Sequence, residues 1–410
     1  MVRGLEGKNT NPGWIGEHVA KSDEFNRVNA GIVPQPAVAK RFFLRTALSV
    51  LRLAAINLLV FAVLAELACL LYINFTNWPS SKPNYRVNYN EFWADVNPVF
   101  GAWHRPNARF IHKSGCYNVE YTTNSYGARD AERSLHSPQP RTIVLGDSMV
   151  EGLGLPDDAR LSSVLEKKTG REHLNFGVGS NFGPLQYALL YKSMAAAFDH
   201  DMVIVGVLPD NDFHDMSLSY WKAHKWAGRY RPYYADDFSI VYDGHFQPNA
   251  GEGTWDHVEA VLRAFLASYH VGQYIYSRLY WYTRTPYSGY NDYDDVDLAR
   301  LKRALEDIKS TADAHRARMA VFLIPRANDF LRLHASGANR LGPVMESWGN
   351  DVGIHIKDLL PDMNARSNGD YRSYFLSCDG HWSASGNAVA AGILEPWMSE
   401  KKSDRAMMQP

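Results

Sequence analysis

Cysteine is scarce in this chain: three residues in 410 are too few for a disulfide scaffold and lack the paired spacing of a structural zinc cluster. Net charge is scarce too. With 43 Lys+Arg against 44 Asp+Glu there is no basic excess to displace counterions from phosphates, which excludes nucleic acid as a partner. Charged residues make up only 21% of the chain and hydrophobic ones 46%, which excludes general disorder and permits a large buried core. The length suggests about two or three domains.

Long apolar runs are also rare, with one exception. Residues Leu53 to Phe75 read LAAINLLVFAVLAELACLLYINF and contain no Lys or Arg. At about 1.5 Å rise per residue this segment can cross a hydrocarbon core of about 30 Å with some tilt. More than fifty residues precede it, unlike the short charged start of a cleaved signal, so a retained anchor is expected. Leu67-Ala68-Cys69 only faintly matches a lipoprotein cleavage box, because Glu66 stands where an aliphatic residue belongs. Lys40, Arg41, Arg45 and Arg52 crowd the N-terminal flank, against Lys82 and Arg86 on the other side. The positive flank stays in the cytoplasm, so residues 76–410 are expected outside it, in the periplasm if the cell is a Gram-negative bacterium and otherwise extracellular. Residues 1–52 are expected to form a disordered cytoplasmic tail.

Residues 76–140 read as a linker followed by a small β-rich lead-in, with alternation at Asn118-Val-Glu-Tyr-Thr-Thr123. Beyond it, Thr142–Leu145, Met202–Leu208 and Met319–Ile324 are short apolar runs of the kind that form strands covered on both faces. Leu298, Leu301, Leu305 and Ile308 repeat at helical spacing between them. Strands alternating with helices predict an α/β unit over residues 141–400, three layers with a mostly parallel central sheet, and an aromatic-rich insert over 213–296. Ligands of such sheets sit beyond the carboxyl ends of the strands.

Those ends carry chemistry. Gly146-Asp147-Ser148 follows the first run and would expose a serine at a strand-to-helix turn. It lacks the Gly-x-Ser-x-Gly elbow of α/β-hydrolases. Asn175-Phe-Gly-Val-Gly179-Ser180 is a glycine turn that could lend a backbone amide, or could be a turn without a ligand. Pro209-Asp210-Asn211-Asp212 places an amide side chain after the next run. Near the C-terminus comes Asp379-Gly380-His381-Trp382, in which an acid two residues before a histidine can orient its ring toward a serine.

In this order the four motifs resemble those of the SGNH (GDSL-type) hydrolases, across roughly residues 95–398. The lead-in Asn124-Ser-Tyr-Gly-Ala-Arg-Asp130 is similar to the segment before the nucleophile strand in membrane-anchored bacterial members. The resemblance implies Ser148 as nucleophile, His381 as general base and then acid, and Asp379 as its orienting partner. It implies oxyanion donors from the Ser148 amide, an amide of Gly179 or Ser180, and the Asn211 side chain, with no metal or cofactor. Two departures stand out: Ser180 aligns where the family usually has Gly, and Pro209 replaces the Gly of a Gly-x-Asn-Asp block.

The insert is dense in aromatics, which either pack it onto the sheet or offer planes for sugar rings. Trp221, Trp226 and Tyr230, interleaved with Lys222, Lys225, Arg229 and Arg231, are the candidates for substrate contact, with Trp382 beside the histidine. A basic and aromatic mixture suits an anionic glycan or lipid head groups equally. Cys116 and Cys378 are the only cysteines outside the apolar segment; they either pair, which an oxidising compartment favours, or remain two buried thiols. The favoured reading is a membrane-anchored serine esterase that removes acetyl or similar groups from a glycan. An O-acyltransferase with the same triad and a silent glycan-binding protein are the alternatives.

Overall fold

The computed structural model describes residues 36–76, 78, 93, 95–179, 181–223, 230–244, 258, 261–262, 265–282 and 286–406. It divides into two units, Met1–Leu67 and Ala68–Pro410. Helix α1 runs from Pro36 to Phe75, forty residues, and within it Arg41–Phe75 is apolar and long enough to cross a membrane. The expected disordered tail over 1–52 is therefore corrected for residues 36–52, which are helical; residues 1–35 lie outside the described residues. A proline suits the first turn of a helix, and the Ala-, Leu- and Arg-containing sequence after it has no helix breaker. Most apolar side chains of α1 are exposed, Leu53, Phe61 and Leu64 each by more than half, whereas Ile73 near its C-terminal end is buried.

In the second unit, two short antiparallel pairs come first. They are β1 (Asp95–Asn97) with β2 (Gly101–Trp103), and β3 (Arg109–Lys113) with β4 (Asn118–Thr122). The α/β layers follow in the order β5 (Arg141–Gly146), α2 (Ser148–Glu151), α3 (Leu161–Thr169), β6 (Glu172–Gly177), α4 (Pro184–Ser193) and β7 (Met202–Val207). Next come α5 (Pro209–Asp215), α6 (Leu218–Ala223), the antiparallel pair β8 (Arg231–Tyr234) and β9 (Ile240–Asp243), α7 (Ala267–Tyr282) and α8 (Asp295–Ala314). The chain closes with β10 (Arg318–Leu323), α9 (Ala327–Ser336), α10 (Leu341–Val352), β11 (His355–Asp358), α11 (Leu359–Arg366) and α12 (Ala384–Ala406).

Five strands form one parallel sheet in the order β11-β10-β7-β5-β6. Its central strands are buried along their whole length, as expected for Ile- and Val-rich segments with helices on both faces. The strand order places the site. From β5 the chain steps one way to β6; from β6 it returns across β5 to β7 and continues to β10 and β11. Since such crossovers are right-handed, α3 covers one face, and α4, α8 and α10 cover the other. The reversal opens a crevice between the carboxyl ends of β5 and β7, where ligands of open α/β sheets bind. Ser148 follows β5, and Asn211 lies in the first turn after β7.

Candidate active site

Ser148 opens α2, and Asp147 caps it by accepting from the Met149 amide at 3.0 Å. At this first helical position the Ser148 N–H has no acceptor within the helix. Its hydroxyl oxygen lies 2.7 Å from His381 Nε2, and His381 Nδ1 lies 2.5 Å from Asp379 Oδ1. The same carboxylate oxygen accepts from the His381 backbone amide at 3.2 Å, so one acid fixes both the loop and the ring. The three residues, 233 positions apart at their extremes, thus form a continuous serine-imidazole-carboxylate relay.

The loop that carries the acid and the imidazole is held from three sides. Leu376 donates to the His381 carbonyl at 2.8 Å, closing the turn. Cys378 is bonded to Cys116, which ties the turn after β3 to the residue before Asp379. Trp382 is 1% exposed and donates its indole N–H to the Pro325 carbonyl at 3.3 Å. The last observation corrects the assignment of Trp382 to substrate contact: it is a peg beneath the loop. Burial tends to raise the Asp379 carboxyl, but the adjacent His381 more than offsets this and Arg326 adds to it, holding Asp379 down to about 2.

The oxyanion donors stand differently from expectation. The Gly179 amide donates to the buried Glu151 carboxylate, so this N–H is committed elsewhere and the expected role of Gly179 is corrected. Ser180 lies outside the described residues. Asn211 directs its side-chain nitrogen to Asp215 Oδ2 at 2.9 Å, and its side chain also hydrogen-bonds Asp147. Beneath it lie three buried acids. Burial pushes Asp147 up to about 6, Asp215 up to about 7, and Asp212 well above the usual carboxylate range, where the Tyr187 hydroxyl donates to it at 2.8 Å.

Other aromatic candidates also move. Trp221 is 7% exposed and carries the Arg231 guanidinium over its ring at 4.5 Å, so it packs the insert instead of facing substrate. Arg231 is itself buried and donates to Gln186 and to the Asp215 carbonyl. Tyr230 is half-buried, stacks on Tyr242 at 5.1 Å and donates to the Pro98 carbonyl. Trp226, Lys225 and Arg229 lie outside the described residues.

Two buried groups that organise the site were not singled out from the sequence. Glu151 is fully buried and accepts from Trp93 Nε1 at 3.2 Å and from the Gly179 amide, with His104 Nε2 3.4 Å away. Arg129, from the lead-in motif, is also fully buried; it donates to the carbonyls of Glu151, Gly152 and Leu155 and covers the Tyr121 ring. It therefore clamps the turn that follows the nucleophile. The spacing Arg-x₂₁-Glu carries no recognisable period, so only the fold brings these groups together.

No family model and no curated protein matches the sequence. Among solved structures, the chain is similar to a lipase/acylhydrolase from Enterococcus faecalis, with 10% identity, a TM-score of 0.34, and coverage of 64% of this chain and 96% of that one. A GDSL-like lipase from Bacteroides thetaiotaomicron gives 10% identity, a TM-score of 0.33, and coverage of 66% and 93%. A family two carbohydrate esterase from Clostridium thermocellum, solved with cellohexaose, gives 11% identity, a TM-score of 0.29, and coverage of 66% and 68%.

Proposed function

We propose that this chain is a serine esterase that removes acyl groups, foremost acetyl, from a glycan, and that residues 53–75 anchor it in a membrane with residues 76–410 outside the cytoplasm. The observation that carries the chemistry is the relay from Ser148 Oγ through His381 to Asp379, at 2.7 and 2.5 Å. His381 Nε2 takes the hydroxyl proton as the Ser148 oxygen attacks the ester carbonyl carbon. Asp379 holds the ring in the required tautomer and offsets the charge of the imidazolium that forms. The Ser148 N–H and the Asn211 side chain receive the oxyanion. Collapse expels the alcohol, which takes the proton from His381; water then repeats the sequence and releases the acid.

The outward-facing apolar surface of α1 and the Cys116–Cys378 bond support the anchor and an oxidising compartment. The test of the chemistry is turnover of 4-nitrophenyl acetate by the full chain in detergent. Ser148→Ala is expected to lower kcat by at least about 10⁴-fold. Wild-type turnover in that variant would overturn the assignment.

A further inference from the structure

A half-exposed strip beside the triad has no part in the acyl-transfer steps. Asp210 and His214 are four residues apart on α5 and so share a face, next to Asn211. Asp210 Oδ2 lies 3.1 Å from Arg326 Nη1, their side chains being 19% and 30% exposed. The Arg326 guanidinium rests against the catalytic loop: a β-carbon at Gly380 would clash with its Nη2. On the other side of Asp210, the His214 ring stacks on Tyr220 with centroids 4.1 Å apart and planes within 8°. It also meets Tyr287 at 4.7 Å. The segment bearing Tyr287 is pressed onto the start of α5, since a β-carbon at Gly289 would clash with the Pro209 carbonyl. All three rings are half-buried.

This strip combines a fork of donors, a carboxylate acceptor and aromatic planes. Such a set reads the hydroxyls of a pyranose ring and stacks on its apolar face. Its charge decides between sugar classes. Asp210 neutralises Arg326, and Asp379 adds a further negative charge nearby. A uronate carboxylate brought to Arg326 would face both acids at close range, whereas an uncharged sugar meets no such repulsion. We propose that Asp210 and Arg326, with the rings of His214, Tyr220 and Tyr287, form the subsite for an uncharged pyranosyl ring of the ester substrate. This proposal rests on the esterase reading above.

The test compares kcat/KM of the full chain in detergent on three probes: 4-nitrophenyl acetate, an O-acetylated gluco-oligosaccharide and an O-acetylated oligogalacturonate. Tyr287→Ala and Tyr220→Ala are expected to lower kcat/KM on the gluco-oligosaccharide at least about tenfold more than on 4-nitrophenyl acetate, chiefly through KM, as loss of one stacking plane implies. Tyr287→Phe and Tyr220→Phe, which keep the ring, restore most of it. Asp210→Asn, which unmasks Arg326, raises the ratio of oligogalacturonate to gluco-oligosaccharide turnover. Equal losses on both esters, no loss on either, or an unmoved ratio in Asp210→Asn would each overturn the subsite. A wild-type chain that cleaves 4-nitrophenyl acetate but neither oligosaccharide overturns the subsite alone. One that cleaves none of the three overturns the esterase reading, and the subsite with it.

Discussion

Glu151→Ala removes the acceptor at which three otherwise separate segments meet. Trp93 Nε1 at 3.2 Å and the Gly179 amide donate to this fully buried carboxylate, and His104 Nε2 lies 3.4 Å from it. Each buried donor left without a partner costs about 1–3 kcal/mol, so the two together cost about 2–5 kcal/mol after partial relaxation. That is a large share of the roughly 5–15 kcal/mol that holds a domain folded. At about 2–4 °C per kcal/mol for a domain of this size, the unfolding midpoint should fall by about 4–20 °C. Turnover should fall as well, because Gly179 precedes the peptide expected to supply the second oxyanion donor and loses its tether. Glu151→Gln keeps the shape and one acceptor oxygen but turns an amide toward a donor, so an intermediate loss is predicted. Thermal unfolding followed by circular dichroism, with 4-nitrophenyl acetate turnover on the same samples, measures both effects. A Glu151→Ala variant within about 1 °C of wild type and with full turnover would show that Glu151 does not tie these segments together.

Two further perturbations follow from the same loop. The Cys116–Cys378 bond closes a separation of 262 residues, so Cys116→Ser with Cys378→Ser is predicted to cost up to about 5 kcal/mol. It should also lower turnover, because Cys378 adjoins Asp379; unchanged melting with and without reductant would show that the bond carries no load. Asp379 is held down to about 2 by His381 despite its burial, below its unfolded value near 3.9. Its contribution, on the order of 2 kcal/mol, is complete above about pH 4 and is lost as pH falls toward 2. Urea midpoints of wild type and Asp379→Asn should therefore converge over that window, and a constant gap down to pH 2 would contradict the coupling.

What could be read in advance depended on how local the signal was. The strands at Thr142–Leu145, Met202–Leu208 and Met319–Ile324 were legible because doubly covered strands are continuous apolar runs; they are found at Arg141–Gly146, Met202–Val207 and Arg318–Leu323. Edge strand β11, His355–Asp358, was not anticipated: two of its four residues are only half-buried and it carries three polar side chains. Ser148, Asp379 and His381 stood out because each sits in a short motif, and the sheet then brings those motifs together. Glu151 and Arg129 did not, since their meaning lies in contacts 22–58 residues away in the chain.

The aromatic residues were the weakest ground. Trp382 and Trp221 proved to be buried supports, whereas His214, Tyr220 and Tyr287 line the half-exposed strip. An indole ring has the same apolar character under a loop as on a surface, so composition alone does not separate the two roles. The Pro209 departure is accommodated for a visible reason. Pro209 is the first residue of α5, where a missing N–H costs nothing and the fixed φ suits a helix start.

His381 is proposed to activate Ser148 as the nucleophile. The most direct measurement is intact and peptide mass analysis of the full chain after reaction with a fluorophosphonate. A single adduct on Ser148 is expected in the wild type, formed at least about 10³-fold more slowly in His381→Ala. An unlabelled Ser148 in the folded wild-type chain, or labelling at the same rate in His381→Ala, would contradict it.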